Sequence, residues 1–385
     1  MKQRLFIPGP VAVSERVLAA MALPMINHRG PEFADLQRRI ERRLKPIYGT
    51  GGDVVLLPGS GTSGLEASVA SLFSPGDRVL ACPVGVFGKR LAAIARTYGI
   101  ETDVLETRSG SALDPNALRE RLAGAHYDGI LLTQNETSTG VQNDMAALAE
   151  AVAGSGATVV VDAVSGLAAS EFRMDDWGFD AVVSASQKAL AVPPGLAMVA
   201  VSARGWERAE TSRAPSFYLD LRKARDFARD GQTPWTPPVS VMFALDVALE
   251  LYEAAGPAAA WERHARYARA IRAAVAALGL QTLSQPGAHS PTVVAILVPD
   301  GVDGPAVART LREEHGIVVG GGQAELKGKI WRIGTMGDLS EGDILGALSS
   351  FEAALHAHGY AAPAGEAARA AAAVLEVSAE GVAAP

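Results

Sequence analysis

Asp53-Val54-Val55-Leu56-Leu57-Pro58-Gly59-Ser60-Gly61-Thr62-Ser63-Gly64-Leu65 is the stretch that decides the architecture. Residues 53–57 form an unbroken apolar run of strand length, which suits a strand covered on both faces. A turn rich in glycine and hydroxyls follows, then a helical apolar pattern over 65–73. The same grammar repeats downstream. Strands are expected at 78–82, 101–106, 129–133, 157–161, 180–184 and 196–202. Helical patterns fill 87–98 and 144–153. Another runs to Leu122 behind an N-cap and first-turn proline at Asp114-Pro115. Strands alternating with helices imply an α/β fold, a mostly parallel sheet with helices on both faces.

The turn itself carries chemistry. Gly59, Gly61 and Gly64 spell G-x-G-x-x-G, the dinucleotide fingerprint. That reading needs a ribose-binding acid about 20 residues on, and the next strand ends instead in Cys82-Pro83-Val84. Ser60, Thr62 and Ser63 beside a helix N-terminus suit a single phosphate monoester better. A tight turn without a ligand would use the same glycines.

Further out, residues 31–47 place Phe33, Leu36, Ile40, Leu44 and Ile47 on one helical face. Beyond about residue 239 the grammar changes. Long helices over 239–254 and 261–278 precede strands at 292–298, 317–320 and 329–334, with helices at 305–315 and 341–358. The organisation expected is an N-terminal arm (1–21), a large domain (22–255) and a smaller C-terminal α+β domain (256–385) ending in an Ala-rich tail. Of 385 residues, 48% are hydrophobic, enough for a substantial core, and the net charge of −7 lacks a nucleic-acid binder's basic footprint. The single cysteine, Cys82, excludes an internal disulfide or a multi-cysteine metal site. No apolar run reaches membrane-spanning length. These features suit a cytoplasmic protein without membrane or nucleic-acid partners.

Two more strand ends draw attention. Val159-Val160-Val161-Asp162 ends an apolar strand in a carboxylate at the edge where α/β sheets bind ligands. It could cap a turn, hold a metal or pair with a cationic ring nitrogen. Ser186-Gln187-Lys188 ends the next strand in a lysine, whose burial is costly unless its amine is used. A phosphate cup, a ring-nitrogen acid and an amine nucleophile, in that order, together specify pyridoxal 5′-phosphate (PLP).

With these motifs the chain resembles the class V, fold type I PLP-dependent aminotransferases, in the alanine–glyoxylate and serine–glyoxylate branch. Asn27-His28-Arg29, Gly59-Ser60-Gly61-Thr62, Asn135-Glu136-Thr137-Ser138-Thr139-Gly140, Val161-Asp162-Ala163-Val164, Ser186-Gln187-Lys188-Ala189 and Thr236-Pro237-Pro238 carry the likeness. It implies that Lys188 forms the internal aldimine and shuttles the proton, and that Asp162 keeps the ring nitrogen protonated. Ser60, Gly61, Thr62 and Gln187 would hold the phosphate. Phe87 would stack on the ring, with Thr137 and Val164 beside it. Arg332 would clamp the substrate carboxylate, with Gly9 in a turn above the substrate. Thr233 and Thr236 would reach the phosphate of a neighbouring subunit, which makes the protein a homodimer with shared sites.

The reaction implied is a ping-pong transfer from alanine or serine to glyoxylate or pyruvate. A different donor (aspartate, an aminophosphonate or pyridoxamine) and a PLP-dependent lyase are the alternatives. A cysteine desulfurase would need a mobile cysteine, and Cys82 closes a strand. Arg29 is the residue that would admit aspartate if it points inward. The histidines after His28 are scattered and read as mostly exposed.

Overall fold

The computed structural model describes residues 3–380 of the chain. Its centre is a seven-stranded sheet in the spatial order Asp53–Gly59, Gly195–Val201, Ala181–Ala185, Thr158–Asp162, Gly129–Thr133, Arg78–Ala81, Glu101–Val104. Only Gly195–Val201 runs against its neighbours, and the other six strands share one direction. The unbroken apolar runs have the cause expected. Val159 and Val161 enter the core on one face, and Val160 enters the core on the other. A strand buried on both sides has no polar position to show.

The strands end close to their expected limits, and the main difference lies at the helix after the glycine turn. It spans Gly61–Leu72, four residues earlier than the apolar pattern suggests. Gly61, Thr62 and Ser63 lack the apolar side chains that mark a helix in sequence, yet they form its first turn. Gly64 explains the tight approach to the sheet: a Cβ there would lie 2.7 Å from Val183 Cγ1 and 3.1 Å from Ala197 Cβ. Helices Ala203–Thr211 and Leu221–Arg229, not expected from the sequence pattern, pack on this same side.

A second sheet has the order Arg4–Phe6, Ile317–Gly321, Ile330–Gly334, Val293–Leu297. Arg4–Phe6 runs parallel to Ile317–Gly321, so residues assigned to an N-terminal arm in fact complete the C-terminal sheet. The sheet is backed by Pro257–Ala277 and Glu341–Ala357, around Trp331 packed edge-on against Phe351. Val239–Ala255 and Pro257–Ala277 meet at Gly256, whose φ of 83° lets the chain turn between two helices. Within the Ala-rich tail, Glu366–Glu380 forms a helix.

Most of the scattered histidines are not exposed. His264 is buried, accepts or donates at the Ala260 carbonyl, and is driven to a pKa of about 3 by desolvation and by neighbouring Arg263. It therefore stays neutral. Among the described residues no helix is long and apolar enough to cross a membrane.

The packing at Gly64 gives a direct test. Gly64→Val would push its helix off the sheet and should destabilise the fold by about 1–3 kcal/mol, the usual cost of overpacking. Denaturant unfolding measures this, and an unchanged midpoint would contradict the tight contact.

Candidate active site

The functional side chains converge because each follows a strand at the sheet's C-terminal edge. Lys188 lies three residues past Ala181–Ala185. Its turn is closed by Ala191 N to Lys188 O (2.9 Å) and Val192 N to Ser186 O (3.0 Å), with Ser186 Oγ donating to Pro193 O (2.8 Å). Ala191 is held at φ 52°, a left-handed conformation costing on the order of 1 kcal/mol. This locked turn sends the lysine back over the sheet edge, where Nζ donates to Pro8 O at 2.6 Å. A Cβ on Gly9 would sit 2.7 Å from that Nζ, so only glycine lets the turn come this close.

Asp162 closes the neighbouring strand and is buried, with Oδ1 accepting from Val164 N at 3.0 Å. Burial pushes its carboxyl up to about 6, and the negative Glu136 adds to the rise. Val164 N–H, Lys188 and Arg90 pull the other way. Burial drives the Lys188 amine down to about 8. Arg332 and Arg90 push it further, while Asp162 and Glu136 favour its charge. An amine near 8 is a usable nucleophile at neutral pH, which an exposed lysine is not.

Lys188 and Asp162 line one cavity of about 320 Å³ with Gly9, Ser60, Gly61, Thr62, Phe87, Thr137, Val164 and Gln187. The structure thus brings together ten of the residues singled out in sequence. Ser60 starts the Gly61–Leu72 helix without a side-chain cap, so no side chain of its own covers the Gly61 and Thr62 amides, while Ser63 N donates to Ser60 O at 2.8 Å. A Cβ on Gly61 would lie 2.8 Å from Val164 Cγ2, which closes this wall to any larger residue. The buried amide oxygens of Gln187 and of Asn135, also in the wall, have no hydrogen-bond partner among the described residues.

Phe87 is placed by a residue whose role the sequence did not disclose. Glu136 is fully buried, and Oε2 accepts from Phe87 N (3.0 Å) and Gly88 N (3.1 Å) at the start of the Val86–Thr97 helix. Oε1 accepts from Ser138 N (3.0 Å) and Ser138 Oγ (2.7 Å). Burial raises this carboxyl while the four donors hold it down. Arg90, one turn beyond Phe87, also lines the cavity and escaped the sequence reading. Its position three residues after an expected active-site aromatic was the available signal.

Arg332 stands just behind the wall. It is buried on Ile330–Gly334, with Nε donating to Gly321 O (2.8 Å) and Nη1 to Thr137 O (3.0 Å). Three residues fall elsewhere. Thr233 is buried and donates to Trp235 O at 2.7 Å, and Thr236 faces a separate hollow beside Met25, Ile26 and His28. Arg29 does not enter the cavity. It donates to Gln232 Oε1 (2.9 Å) and Thr233 O (2.7 Å) and lies over the Phe227 ring.

The aminotransferase class-V family model matches residues 16–330. The chain belongs to the class-V aminotransferases. It is accordingly a PLP-dependent enzyme of fold type I, and the cavity fits that cofactor: the hydroxyls of Ser60 and Thr62, the amine of Lys188 and the carboxyl of Asp162 all line it. It is 36% identical to L-aspartate–glyoxylate aminotransferase of Paracoccus denitrificans, over 90% of each chain. It is 39% identical to a protein of Synechococcus named soluble hydrogenase, small subunit, over 93% of this chain and 94% of that one. The crystal structure of pyridoxamine–pyruvate aminotransferase from Mesorhizobium loti superposes with a TM-score of 0.94 at 32% identity, over 98% of both chains. The hydrogenase name belongs to that relative. Here Cys82 is buried, its thiol pushed up to about 12, and there is no second cysteine to share a metal.

Lys188 should react with an added aldehyde in the unprotonated form. Capture of pyridoxal by the apoprotein should therefore quicken with rising pH and level off above about 8. Borohydride trapping and peptide mapping should label Lys188, and Lys188→Ala should abolish that label. A label on another lysine would remove Lys188 from this role.

Proposed function

We propose that the enzyme transfers the amino group of a small amino acid, alanine or serine, to a short 2-keto acid, glyoxylate or pyruvate, in two half-reactions at one site. The observation that supports this most is the meeting of Lys188 and Asp162 in one cavity, with Arg332 behind its Thr137 wall. PLP, when bound, supplies the electron sink that weakens a bond at the substrate's Cα. The chain's residues do the rest. Asp162 would pair with the ring nitrogen and keep it cationic. Lys188, its amine lowered by burial, would take up the proton released at the substrate's Cα and hold it within the cavity. Arg332 keeps Nη2 free of its two backbone contacts and presents it to the substrate carboxylate. The Pro8-Gly9 turn shields Lys188 from water.

The engagement of Arg29 supports the small donor. That residue is the route by which a dicarboxylate would find a second cation, and it is tied to the Gln232 side chain and the Thr233 carbonyl instead. Leaving a distal carboxylate poorly compensated in a partly dry cavity is unfavourable. The aspartate named for the Paracoccus relative favours the second reading, in which Arg90 supplies the cation.

We further infer a two-fold homodimer in which Thr236, and Thr233 less directly, serve the partner's cup. Thr236 lies outside its own cavity, and Met25, Phe217, Tyr218 and Phe227 leave apolar surface exposed.

A half-reaction panel tests the donor: each amino acid is mixed with the holoenzyme and loss of the near-visible band is timed. Alanine or serine should react fastest, and aspartate alone reacting would overturn the choice. Asp162→Asn should keep the cofactor but lose at least about a hundredfold in turnover, the scale of a lost preorganised charge contact. Near-normal turnover would unseat Asp162. Light scattering at assay concentration should give a dimer, and a fully active monomer would refute the shared site.

A further inference from the structure

The Ser60–Thr62 cup offers hydroxyls and amides to a phosphate dianion, but no charge of its own. Among the residues lining the cavity only Lys188 and Arg90 are cationic, and Lys188 is committed to the aldehyde end. Arg90 sits on the Val86–Thr97 helix, one turn after Phe87 and on the same face. Its guanidinium lies 4.7 Å from the centre of the Phe87 ring, and Nη1 reaches Thr62 Oγ1 at 3.4 Å. That long contact is its one hydrogen bond among the described residues, and no carboxylate pairs with it. Most of its five donors therefore remain available.

We propose that Arg90 is the cationic partner of the cofactor phosphate, held over Phe87 so that it closes the outer side of the cup. Three features converge on this role. The ring face fixes the guanidinium by a cation–π contact, so little freedom is lost when an anion arrives. Donation from Nη1 to Thr62 Oγ1 leaves the threonine's own proton free to point into the cup. The same arginine touches both the residue expected to stack on the ring and a residue expected to hold the phosphate, which couples the two ends of the cofactor site. The field of Arg90 also reaches Asp162 and Lys188, favouring the ionised acid and the neutral amine. This inference rests on the reading of Ser60–Thr62 as the phosphate cup, so the experiment tests the two separately.

The experiment measures dissociation constants of full-length apoprotein for PLP and for pyridoxal, which lacks the phosphate. Wild type, Arg90→Gln, Arg90→Lys and Thr62→Val are compared. Arg90→Gln should weaken PLP by about tenfold to a hundredfold, the range of a charge-assisted hydrogen bond, and leave pyridoxal unchanged. Arg90→Lys should restore part of the loss, and inorganic phosphate should compete less well against PLP in Arg90→Gln. Equal weakening of PLP and pyridoxal would mean that Arg90 only supports the Phe87 ring, and the proposal falls. Loss with Thr62→Val but not with Arg90→Gln would keep the cup and reject the arginine. No loss in either variant would reject the cup itself. Unchanged PLP affinity with a selective loss of aspartate turnover in Arg90→Gln would move Arg90 to the substrate and overturn the proposal. If Arg90→Gln does not fold, Arg90→Lys carries the same comparison, because ammonium cannot form the guanidinium's paired contacts.

Discussion

Burial of one amine organises this molecule. Lys188 holds its nitrogen in a cavity where water cannot fully solvate an ammonium, and every neighbouring element answers that fact. Asp162 lies near enough to favour its charge, Arg332 and Arg90 oppose it, and the Pro8 carbonyl accepts its hydrogen bond. The balance leaves the amine within reach of neutrality. None of these groups could be moved to a surface without losing the effect, since bulk water would screen the charges. The locked turn through Ala191 follows from the same demand: a lysine must point inward from a strand end that would otherwise continue outward.

The large sheet was legible because parallel strands covered on both faces leave long apolar runs, and because their ends carry the polar residues. Asp162, Lys188 and the Ser60–Thr62 turn could be found for that reason. What stayed hidden depends on partners far away in the chain. Arg4–Phe6 is only three residues long and has no periodicity to display, and its strand character comes from pairing with Ile317–Val319. Glu136 lies inside a recognised motif, but its task of receiving the Phe87 and Gly88 amides at the start of another helix depends on a segment far away in the chain. Arg90 looks in sequence like any arginine on a helix surface. The start of the Gly61–Leu72 helix was hidden because Gly61, Thr62 and Ser63 carry no apolar side chain to set a helical period.

The small sheet matters to chemistry as well as to stability. It carries Arg332 on one strand and, two strands away, the segment that leads into the Pro8-Gly9 turn over Lys188. One sheet thus positions both Arg332, the proposed carboxylate clamp, and the cover of the amine. A displacement of that sheet would carry both together, so access to the cavity and grip on the substrate change as a unit.

The parallel pairing of Arg4 with Ile317 also bears on how the chain is made. The seven-stranded sheet uses residues 53 to 201 and can assemble while synthesis continues. The first strand, although it leaves the ribosome earliest, has no neighbour until residues 317–321 emerge. At usual elongation rates that interval is roughly 15 to 60 seconds. Through this time the Pro8-Gly9 turn has no fixed place over the lysine. The nascent enzyme therefore acquires its sheet first and its closed active site last.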